Sequence, residues 1–419
     1  MKNRLKAGGL FSFLFFFIFS GVYAQFSIET ELRPRSELRN GYQQLIQSGA
    51  TSAAIVSQRT RLKFSYQKEG LRLVIAPQDV RIWGDEKNHS TGGNFGDEAS
   101  LDLHEGYAEI DLNSMISLAA GRMELNYDNE WLLGRRNWNQ SGIASDAILV
   151  RLAQAKWSLH AAFSWNTLKD ALKDNFYPAD RYKALSFCWI NFRPNAHNNL
   201  SFLLLSTGQT PSDTVNTLRF RFTGGFYYKI NKPLLSGDFN FYYQFGKKPD
   251  NTAVSSFLTA GNFTINTGKV TPGIGWTLSS GNKNLQGTTD HTFDLVYTAR
   301  HKFLGNMDYF RNLTTSVKQA GLADIYGTIF YKASKGITVQ NALHYFSLLV
   351  NNAIAPTQKK LAWENDFIVR YKIAEWGTLE YGFLFLIPYE GLKQIQQVPR
   401  PASPIFTYLM LTVNTRVFP

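Results

Sequence analysis

Charged and apolar side chains alternate along several stretches of the chain. In residues 28–39 every second position is charged, and most of the positions between are apolar or small. The charged set is Glu29, Glu31, Arg33, Arg35, Glu37 and Arg39. Because successive side chains of a β-strand point to opposite faces, this period of two predicts a strand with one ionic and one apolar face.

The same alternation returns along most of the chain. Later stretches with alternate charged positions include Arg59–Arg61–Lys63, Arg122–Glu124, Arg219–Arg221 and Asp366–Arg370–Lys372. These stretches reach about ten to fourteen residues, which suits tilted strands that cross a bilayer, whereas soluble strands average about five or six. The pattern predicts an all-β protein, a single antiparallel transmembrane β-barrel.

Short and long polar links alternate between the predicted strands. The short turns lie near residues 68–70, 113–114, 154–156, 193–198, 231–233, 267–269, 334–336 and 374–377. The longer links are residues 41–56, 84–99, 128–145, 166–181, 207–216, 247–252, 281–321, 350–360 and 388–404. Eight turns and nine loops connect 18 strands, with 16 as the alternative count. Short periplasmic turns and long extracellular loops are typical of outer-membrane barrels.

The cost of placing charge in lipid decides which face points inward. An Arg or Lys near the midplane of the lipid face costs about 2–4 kcal/mol, so three arginines on one strand would cost about 6–12 kcal/mol. The charged face is therefore expected to line a wet interior. Closing the sheet pairs every backbone donor and acceptor, and the last predicted strand, Ile405–Phe418, returns the chain for that closure.

The first 24 residues have the form of a secretory signal peptide. Lys2, Arg4 and Lys6 precede an apolar stretch, and Val22-Tyr23-Ala24 offers small residues at the cleavage positions. We therefore expect residues 1–24 to be a cleaved signal peptide and residues 25–419 to form the barrel. The single cysteine, Cys188, cannot form an internal disulfide.

The charge balance limits the kinds of partner that the mature chain is expected to bind. The signal segment holds three of the 44 basic residues and no acidic ones, so 41 basic residues face 32 acidic ones, a net charge of +9. A basic chain of this kind can bind nucleic acid, anionic lipid or an anionic solute. Because the chain carries a predicted secretory signal, nucleic acid is the least expected of these partners. The expected partners are outer-membrane lipid, the outer-membrane assembly machinery and an anionic solute or polysaccharide.

The candidate functional residues are the arginines of the predicted inner face. An arginine stays charged at any relevant pH and presents a planar fork to carboxylate or phosphate, and rings of basic side chains favour anions in channels. The alternative interpretation is that Arg–Glu pairs only brace the wall. The predicted pore-lining set is Arg33, Arg35, Arg59, Arg61, Arg122, Arg151, Arg219, Arg221 and Arg370.

Several segments resemble the alginate-export family of outer-membrane porins. They are residues 33–37 (RPRSE), 58–62 (QRTRL), 121–127 (GRMELNY), 130–134 (EWLLG), 137–140 (NWNQ) and 301–310 (HKFLGNMDYF). The resemblance implies a monomeric 18-stranded barrel whose narrow basic pore conducts an anionic polyuronate or smaller carboxylates. It also implies that Arg33, Arg35, Arg59, Arg61 and Arg122 line that pore.

The sequence therefore predicts a passive channel of the bacterial outer membrane for anionic solutes, without a cofactor, a metal or a chemical step. Three alternatives remain: a weakly selective general porin, a non-conducting surface barrel for binding or adhesion, and an enzyme at the barrel rim. No nucleophile-elbow, metalloprotease or paired-cysteine motif occurs, which argues against the last alternative. The identity of the solute, the direction of transport and the position of the long loop, residues 281–321, stay open.

Overall fold

Antiparallel strands close into a single barrel. The computed structural model describes residues 25–84 and 100–418. Each strand of the barrel pairs with its neighbour in sequence, and the first strand pairs with the last, with Leu32 opposite Val413 and Asn40 opposite Ile405. The closed 18-stranded antiparallel barrel predicted from the sequence is confirmed. Among the described residues, no helix is long and apolar enough to span a membrane.

The barrel strands are long, and one very short strand lies outside their ring. The strands are β1 Gln25–Asn40, β2 Ala53–Lys68, β3 Leu71–Ile82, β4 Ser100–Asp111, β5 Ile116–Met123, β6 Ser145–Ala153, β7 Trp157–Trp165, β8 Ala184–Asn195, β9 Asn198–Gln209, β10 Arg219–Asn231, β11 Leu235–Lys247, β12 Ala253–Ile265, β13 Val270–Ser279, β14 Thr289–Asp290, β15 Leu322–Lys332, β16 Ile337–Leu348, β17 Lys360–Ala374, β18 Gly377–Pro388 and β19 Ile405–Phe418. The two-residue β14 pairs in parallel with β12, so β13 and β15 are neighbours in the barrel. A short helix, α1 Glu390–Gln396, lies between β18 and β19.

The predicted connections match the observed ones. All eight short turns fall between the strand pairs that they were expected to join, and the nine longer links separate the remaining strands. Most of the second long link, residues 85–99, lies outside the described residues, as does the predicted signal peptide, whose cleavage stays a prediction. The positions of the turn residues in the sequence were therefore sufficient to predict the number of strands.

The two faces of β1 point as the charge pattern predicted. Arg33 and Arg35 are 4% and 5% exposed, whereas Leu32 before them and Leu38 after them are 39% and 46% exposed. The exposed residues on the other strands are largely apolar, among them Ile75, Phe163, Phe202, Phe245, Ile274, Ile325 and Phe383. An apolar exterior around an ionic interior is the arrangement of a barrel in lipid.

Two of the long links fold into the barrel rather than away from it. Residues 124–144, the first inner loop, follow β5, and residues 280–321, the second inner loop, lie between β13 and β15. Their apolar side chains form one buried cluster with residues of the strands; the loop members include Tyr127, Trp131, Leu133, Phe293, Met307 and Phe310. The interior is therefore not only polar, as the alternation alone predicted, because the inner loops supply an apolar core.

Candidate functional site

The first inner loop crosses the barrel interior. At its start, the carboxylate of Asp128 accepts hydrogen bonds from Trp189 Nε1 at 3.0 Å and from the Ser201 hydroxyl, on β8 and β9. The next residue, Asn129, donates to Asp238 of β11 at 2.9 Å. These contacts fix the beginning of the loop to the β8–β11 wall.

The end of the same loop is fixed to the β1–β2 wall by Arg33. Its guanidinium donates to Gln140 Oε1 at 2.9 and 3.0 Å, to Asn137 Oδ1 at 3.3 Å and to the Asn139 carbonyl at 3.1 Å. The Gln140 amide in turn donates a hydrogen bond to the Ser57 hydroxyl of β2 at 3.0 Å. The loop therefore connects nearly opposite walls and divides the lumen.

Three neighbouring residues of β1, β2 and β3 hold the same segment. Arg35 donates to the Trp138 carbonyl at 2.7 Å, and Arg59 donates to Asn137 Oδ1 at 2.8 Å while pairing with Glu31. Gln78 donates to the Ser141 carbonyl at 3.0 Å. The hydrogen bonds from Arg35 and Arg59 have a charged donor and are stronger than neutral ones, so the segment is firmly held.

This arrangement changes the role expected for the predicted arginines. Arg33, Arg35 and Arg59 are at most 5% exposed because the first inner loop covers them. Arg61 reaches further into open space: it donates to Gln78 at 2.7 Å and lies 3.7 Å from Glu124. Of the five arginines that the resemblance indicated, three thus position a loop and Arg61 borders a cavity. The fifth, Arg122, is described below.

The second inner loop is bound to a different part of the wall. Its Met307 donates a backbone hydrogen bond to Glu364 Oε1 of β17 at 2.8 Å, and Asn306 donates to Asp366 Oδ2 at 3.1 Å. The link between β1 and β2 also contributes, since Tyr309 donates to the Gly41 carbonyl at 2.5 Å and Gln43 donates to the Met307 carbonyl at 3.0 Å. The long loop therefore rests inside the barrel.

The two inner loops pack against each other. Trp131 stacks on Phe303 with ring centres 3.9 Å apart. Arg136 donates to the carbonyls of Val296 and Thr298, both at 3.0 Å. Burial, together with the nearby charge of Arg300, lowers the pKa of Arg136 to about 10, which still leaves the guanidinium charged at neutral pH. The loops form one unit across the lumen.

A first cavity lies below this unit, toward the end of the barrel with short turns. It has a volume of about 450 Å³ and is lined by both signs of charge. Its charged residues are Arg61, Lys63, Arg135 and Arg416 with Glu29, Glu31, Glu105 and Glu124. Lys63 lies 2.7 Å from Glu105, so much of this charge is paired.

A second cavity of about 530 Å³ shares Glu105 and Glu124 with the first. Its cations are Arg151, Arg193 and Lys229. Arg151 is paired with Glu109, whereas Arg193 and Lys229 form no ion pair within the described part of the chain. The two cavities together form a chamber with a modest excess of positive charge.

A third cavity of about 220 Å³ lies between the two inner loops. Its cationic residues are Arg136, Arg300, His301, Lys302 and Arg311, and its acidic residues are Glu130 and Asp308. Asp308 already accepts hydrogen bonds from Tyr42 at 2.5 Å and from His301 at 3.1 Å. Asn137 borders both this cavity and the first one, so the cationic space adjoins the chamber.

Most of the remaining predicted residues lie on the inner face. Arg151 pairs with Glu109, Arg221 with Asp294 and Arg370 with Glu380. Arg219 stands two positions before Arg221 on β10 and shares its face. These residues lie along different parts of the wall and do not form one ring.

Arg122 does not lie on the inner face. It pairs with Asp146 at 3.2 Å, and the flanking Gly121 and Met123 occupy the inward positions of β5, with Met123 only 2% exposed. The prediction extended the alternation through residues 124–127, where the strand has already ended and the chain turns inward. The outward ion pair of Arg122 with Asp146 lies near the ends of β5 and β6 that carry the long loop, where the apolar band of the exterior ends.

The basic residues of the third cavity were not predicted. Arg136, Arg300, Lys302 and Arg311 lie in long links that carry no strand periodicity. The only signal in the sequence was that both links are rich in tryptophan, phenylalanine and tyrosine, which an exposed loop does not need. Side chains of that kind in a long link indicate that the link is packed.

Comparison with solved structures shows the same fold in outer-membrane channels of Pseudomonas aeruginosa. OccK9 (OpdG) is 13% identical with a TM-score of 0.62, covering 94% of this chain and 98% of that one. OccK8 (OprE) is 10% identical with a TM-score of 0.63 at the same coverage. OccK3 (OpdO) is 12% identical with a TM-score of 0.61, covering 94% and 96%.

A search of curated proteins found no match. The sequence profile described as alginate export matches residues 24–316, more than half of the chain. Together with the closed barrel, this match identifies a porin-like protein of the bacterial outer membrane. The chain belongs to the alginate export family.

Proposed function

We propose that the protein is a passive, anion-preferring channel whose selectivity comes from the cations of the inner loops and of the chamber beside them. The observation that carries this proposal is the third cavity, where Arg136, Arg300, Lys302 and Arg311 outnumber two carboxylates, Glu130 and Asp308. Glu130 pairs with Arg135 and with Lys302, and Asp308 is bound to His301. A cationic constriction with low-dielectric walls lowers the barrier for an anion that leaves bulk water.

The side chains around the third cavity suit carboxylates. Arg311 and Lys302 are exposed, and the Nε atom of Arg300 is buried without a hydrogen-bond partner. Guanidinium groups bind carboxylates through two parallel hydrogen bonds, which favours a uronic acid or a small carboxylate over chloride of equal charge. The family description agrees with an acidic polysaccharide, and the proposed solutes are anionic oligosaccharides or smaller carboxylates.

The buried arginines of β1 and β2 have a supporting role in this proposal. Arg33, Arg35 and Arg59 hold the first inner loop in place, and that loop carries Arg135 and Arg136 into the lumen. The wall arginines Arg61, Arg151, Arg219, Arg221 and Arg370 contribute positive potential, most of it offset by paired carboxylates. Selectivity thus depends on the loop that the β1 and β2 arginines position.

Planar-bilayer recording tests the proposal. In a salt gradient, the reversal potential gives the anion-to-cation permeability ratio. The double variant Lys302→Gln/Arg311→Gln should lower this ratio several-fold, whereas Lys335→Gln, on the exposed β15–β16 turn, should leave it unchanged. An unchanged ratio in the double variant would contradict selectivity by the inner loops.

One alternative function is favoured by a specific observation. The first cavity contains four carboxylates beside four cations, which is compatible with a weakly selective general porin. In that case the parent protein would conduct with a permeability ratio near one. A barrel that only binds ligand would give no current at all, so the same recording separates the three functions.

A further inference from the structure

A fourth cavity lies at the end of the barrel that carries the short turns. It has a volume of about 390 Å³. Its wall is formed by the turn between β8 and β9 and by the adjacent end of β10. Arg193, Asn199 and Lys229 line both this cavity and the second one, so the chamber continues into it. Because short turns face the periplasm in outer-membrane barrels, the fourth cavity is a periplasmic mouth of the chamber.

The charge of the fourth cavity has one sign, unlike that of the other three. Its lining residues include Arg193, His197 and Lys229 and no aspartate or glutamate. Neither Arg193 nor Lys229 forms an ion pair within residues 25–84 and 100–418. Asp238 lies opposite Lys229 on β11, but its carboxylate accepts hydrogen bonds from two asparagines, at 2.9 and 3.2 Å. Both cations are therefore available to an anion from outside the protein.

The strand register places the two cations on one patch of the inner face. Lys229 of β10 lies opposite Asn199 of β9, and Arg193 of β8 donates from Nε to Asn199 Oδ1 at 3.4 Å. Neighbouring strands are about 4.8 Å apart, so the two long side chains start about 10 Å apart and can meet above Asn199. The terminal nitrogens of Arg193 donate to no group in the described part of the chain, which leaves one edge of the guanidinium free for an oxyanion.

Asparagine side chains supply neutral donors around the two cations. Asn195, Asn199 and Asn231 line the cavity, and their amide nitrogens donate no hydrogen bond to the part of the chain that the structure describes. Their oxygens are already used: Asn195 Oδ1 accepts two backbone N–H groups of its own turn, both at 3.0 Å, and Asn231 Oδ1 accepts the Ser236 hydroxyl at 2.9 Å. A wall of free donors suits a ligand rich in oxygen atoms.

We propose that the fourth cavity is a capture site for an acidic sugar, that is, for an oxyanion carried by a ring with hydroxyl groups. Arg193 and Lys229 bind the oxyanion, and the amides of Asn195, Asn199 and Asn231 donate to ring hydroxyls. This inference deepens the proposed function and rests on it, because it adds a site for the solute outside the inner loops.

The position of the site makes capture one-sided. The second cavity connects the fourth to the first through Glu105 and Glu124, and the first adjoins the third through Asn137. An acidic sugar therefore reaches Arg193 from the side of the short turns without passing between the inner loops. In a planar bilayer, the sugar should reduce the current at a lower concentration from that side than from the opposite side.

The double variant Arg193→Gln/Lys229→Gln tests the site directly. Titration calorimetry on the purified protein in detergent measures the binding of two probes, trigalacturonate and glucose 6-phosphate, and requires no conduction. The parent should bind at least one probe, and the variant should bind it at least about tenfold more weakly, because contacts from charged donors to an oxyanion are strong. The charge-matched control is Lys232→Gln/Lys269→Gln, which removes two exposed lysines of short turns outside the cavities and should keep the parent affinity.

Two further probes separate the oxyanion from the hydroxyl groups. Maltotriose has hydroxyls without charge, and triglutamate has carboxylates without a sugar ring, so both should bind at least about tenfold more weakly than trigalacturonate. Asn231→Ala should weaken the binding of trigalacturonate but not that of triglutamate. Triglutamate that binds as tightly as both acidic sugars would overturn the assignment to a sugar and indicate an acidic peptide.

The outcomes for the site and for the channel are distinguishable. Equal affinity of the parent and Arg193→Gln/Lys229→Gln for the acidic sugars would overturn the capture site, even if the current stays anion-selective. So would a parent that binds neither acidic sugar. Binding that is lost in the double variant, in a protein that gives no current, would contradict the channel and support the site.

Discussion

The guanidinium carbon of Arg35 lies 3.9 Å from the ring centre of Trp138. On the other face of the indole, the imidazole of His301 is stacked with a centre-to-centre distance of 3.7 Å. This stack joins β1 to the first inner loop and the first inner loop to the second. Arg35, which the sequence pattern predicted to contact the solute, is therefore part of the stack that holds the inner loops in the lumen.

The contrast between Arg35 and Arg61 gives the first prediction. Arg35→Met should destabilise the barrel by about 1.5–3 kcal/mol through its lost charged hydrogen bond to the Trp138 carbonyl. It should shift the reversal potential less than Arg61→Met does, because Arg35 borders none of the cavities and Arg33 and Arg59 still hold the first inner loop. Arg61→Met should lower the anion preference by about twofold to fivefold, corresponding to up to about 1 kcal/mol of Coulomb energy in water. Equal shifts in reversal potential for both variants would contradict this division.

Trp138 is expected to control how tightly the inner loops pack. Trp138→Ala removes both stacking partners, so we expect a loss of about 2–4 kcal/mol, below the value for a fully buried tryptophan, and larger, noisier single-channel currents. The matched control is Trp376→Ala, which changes a 48% exposed tryptophan in the β17–β18 turn and should leave the currents unchanged. Quiet currents of parent size in Trp138→Ala would show that the stack does not hold the loops.

Gly305 should be intolerant of a side chain for two separable reasons. Its φ is +77°, which costs an alanine about 1 kcal/mol, and the new methyl group would collide with Glu364. Gly305→Ala should therefore raise the open probability at neutral pH. Gly268→Ala provides the control, since φ is +98° there and nothing lies within 4 Å of the added carbon. If both variants gate like the parent, the close contact at Gly305 does not restrain the loop.

The outward pair of Arg122 and Asp146 should matter little to transport. Their side chains are 37% and 64% exposed, and exposed ion pairs contribute at most about 1 kcal/mol. A double-mutant cycle with Arg122→Ala and Asp146→Ala, followed by thermal unfolding in detergent, should give a coupling energy below that value. Bilayer recordings of Arg122→Ala should show the same permeability ratio as the parent protein. A reduced ratio would show that Arg122 contributes to the selectivity of the pore.

The barrel could be predicted because its determinants are local. Alternation in β1 assigned Arg33 to the inside and Leu38 to the outside, and turn residues such as Gly336 marked where strands reverse. Each of these signals depends on a few neighbouring residues and on the cost of charge in lipid. That cost is large enough to override every competing preference.

The functional residues could be predicted only in part because their positions depend on loops. Arg33 and Arg61 are both inward on paired strands, yet one is covered by Asn137 and Gln140 and the other borders a cavity. Arg136 and Arg311, which have no periodicity to identify them, lie beside the third cavity. No pattern in the sequence distinguishes a covered arginine from an accessible one.

The sequence by itself therefore determined the topology of the barrel, its strand count and the direction of its charged face, because alternation, turn chemistry and membrane solvation act residue by residue. Only the tertiary structure decided what fills the cylinder. Residues 124–144 and 280–321 settle there through contacts between segments more than a hundred residues apart, such as Arg33 with Gln140 and Leu133 with Tyr297. Such contacts depend on shape and hydrogen bonding between distant segments, and they decide which arginines are covered and which border a cavity.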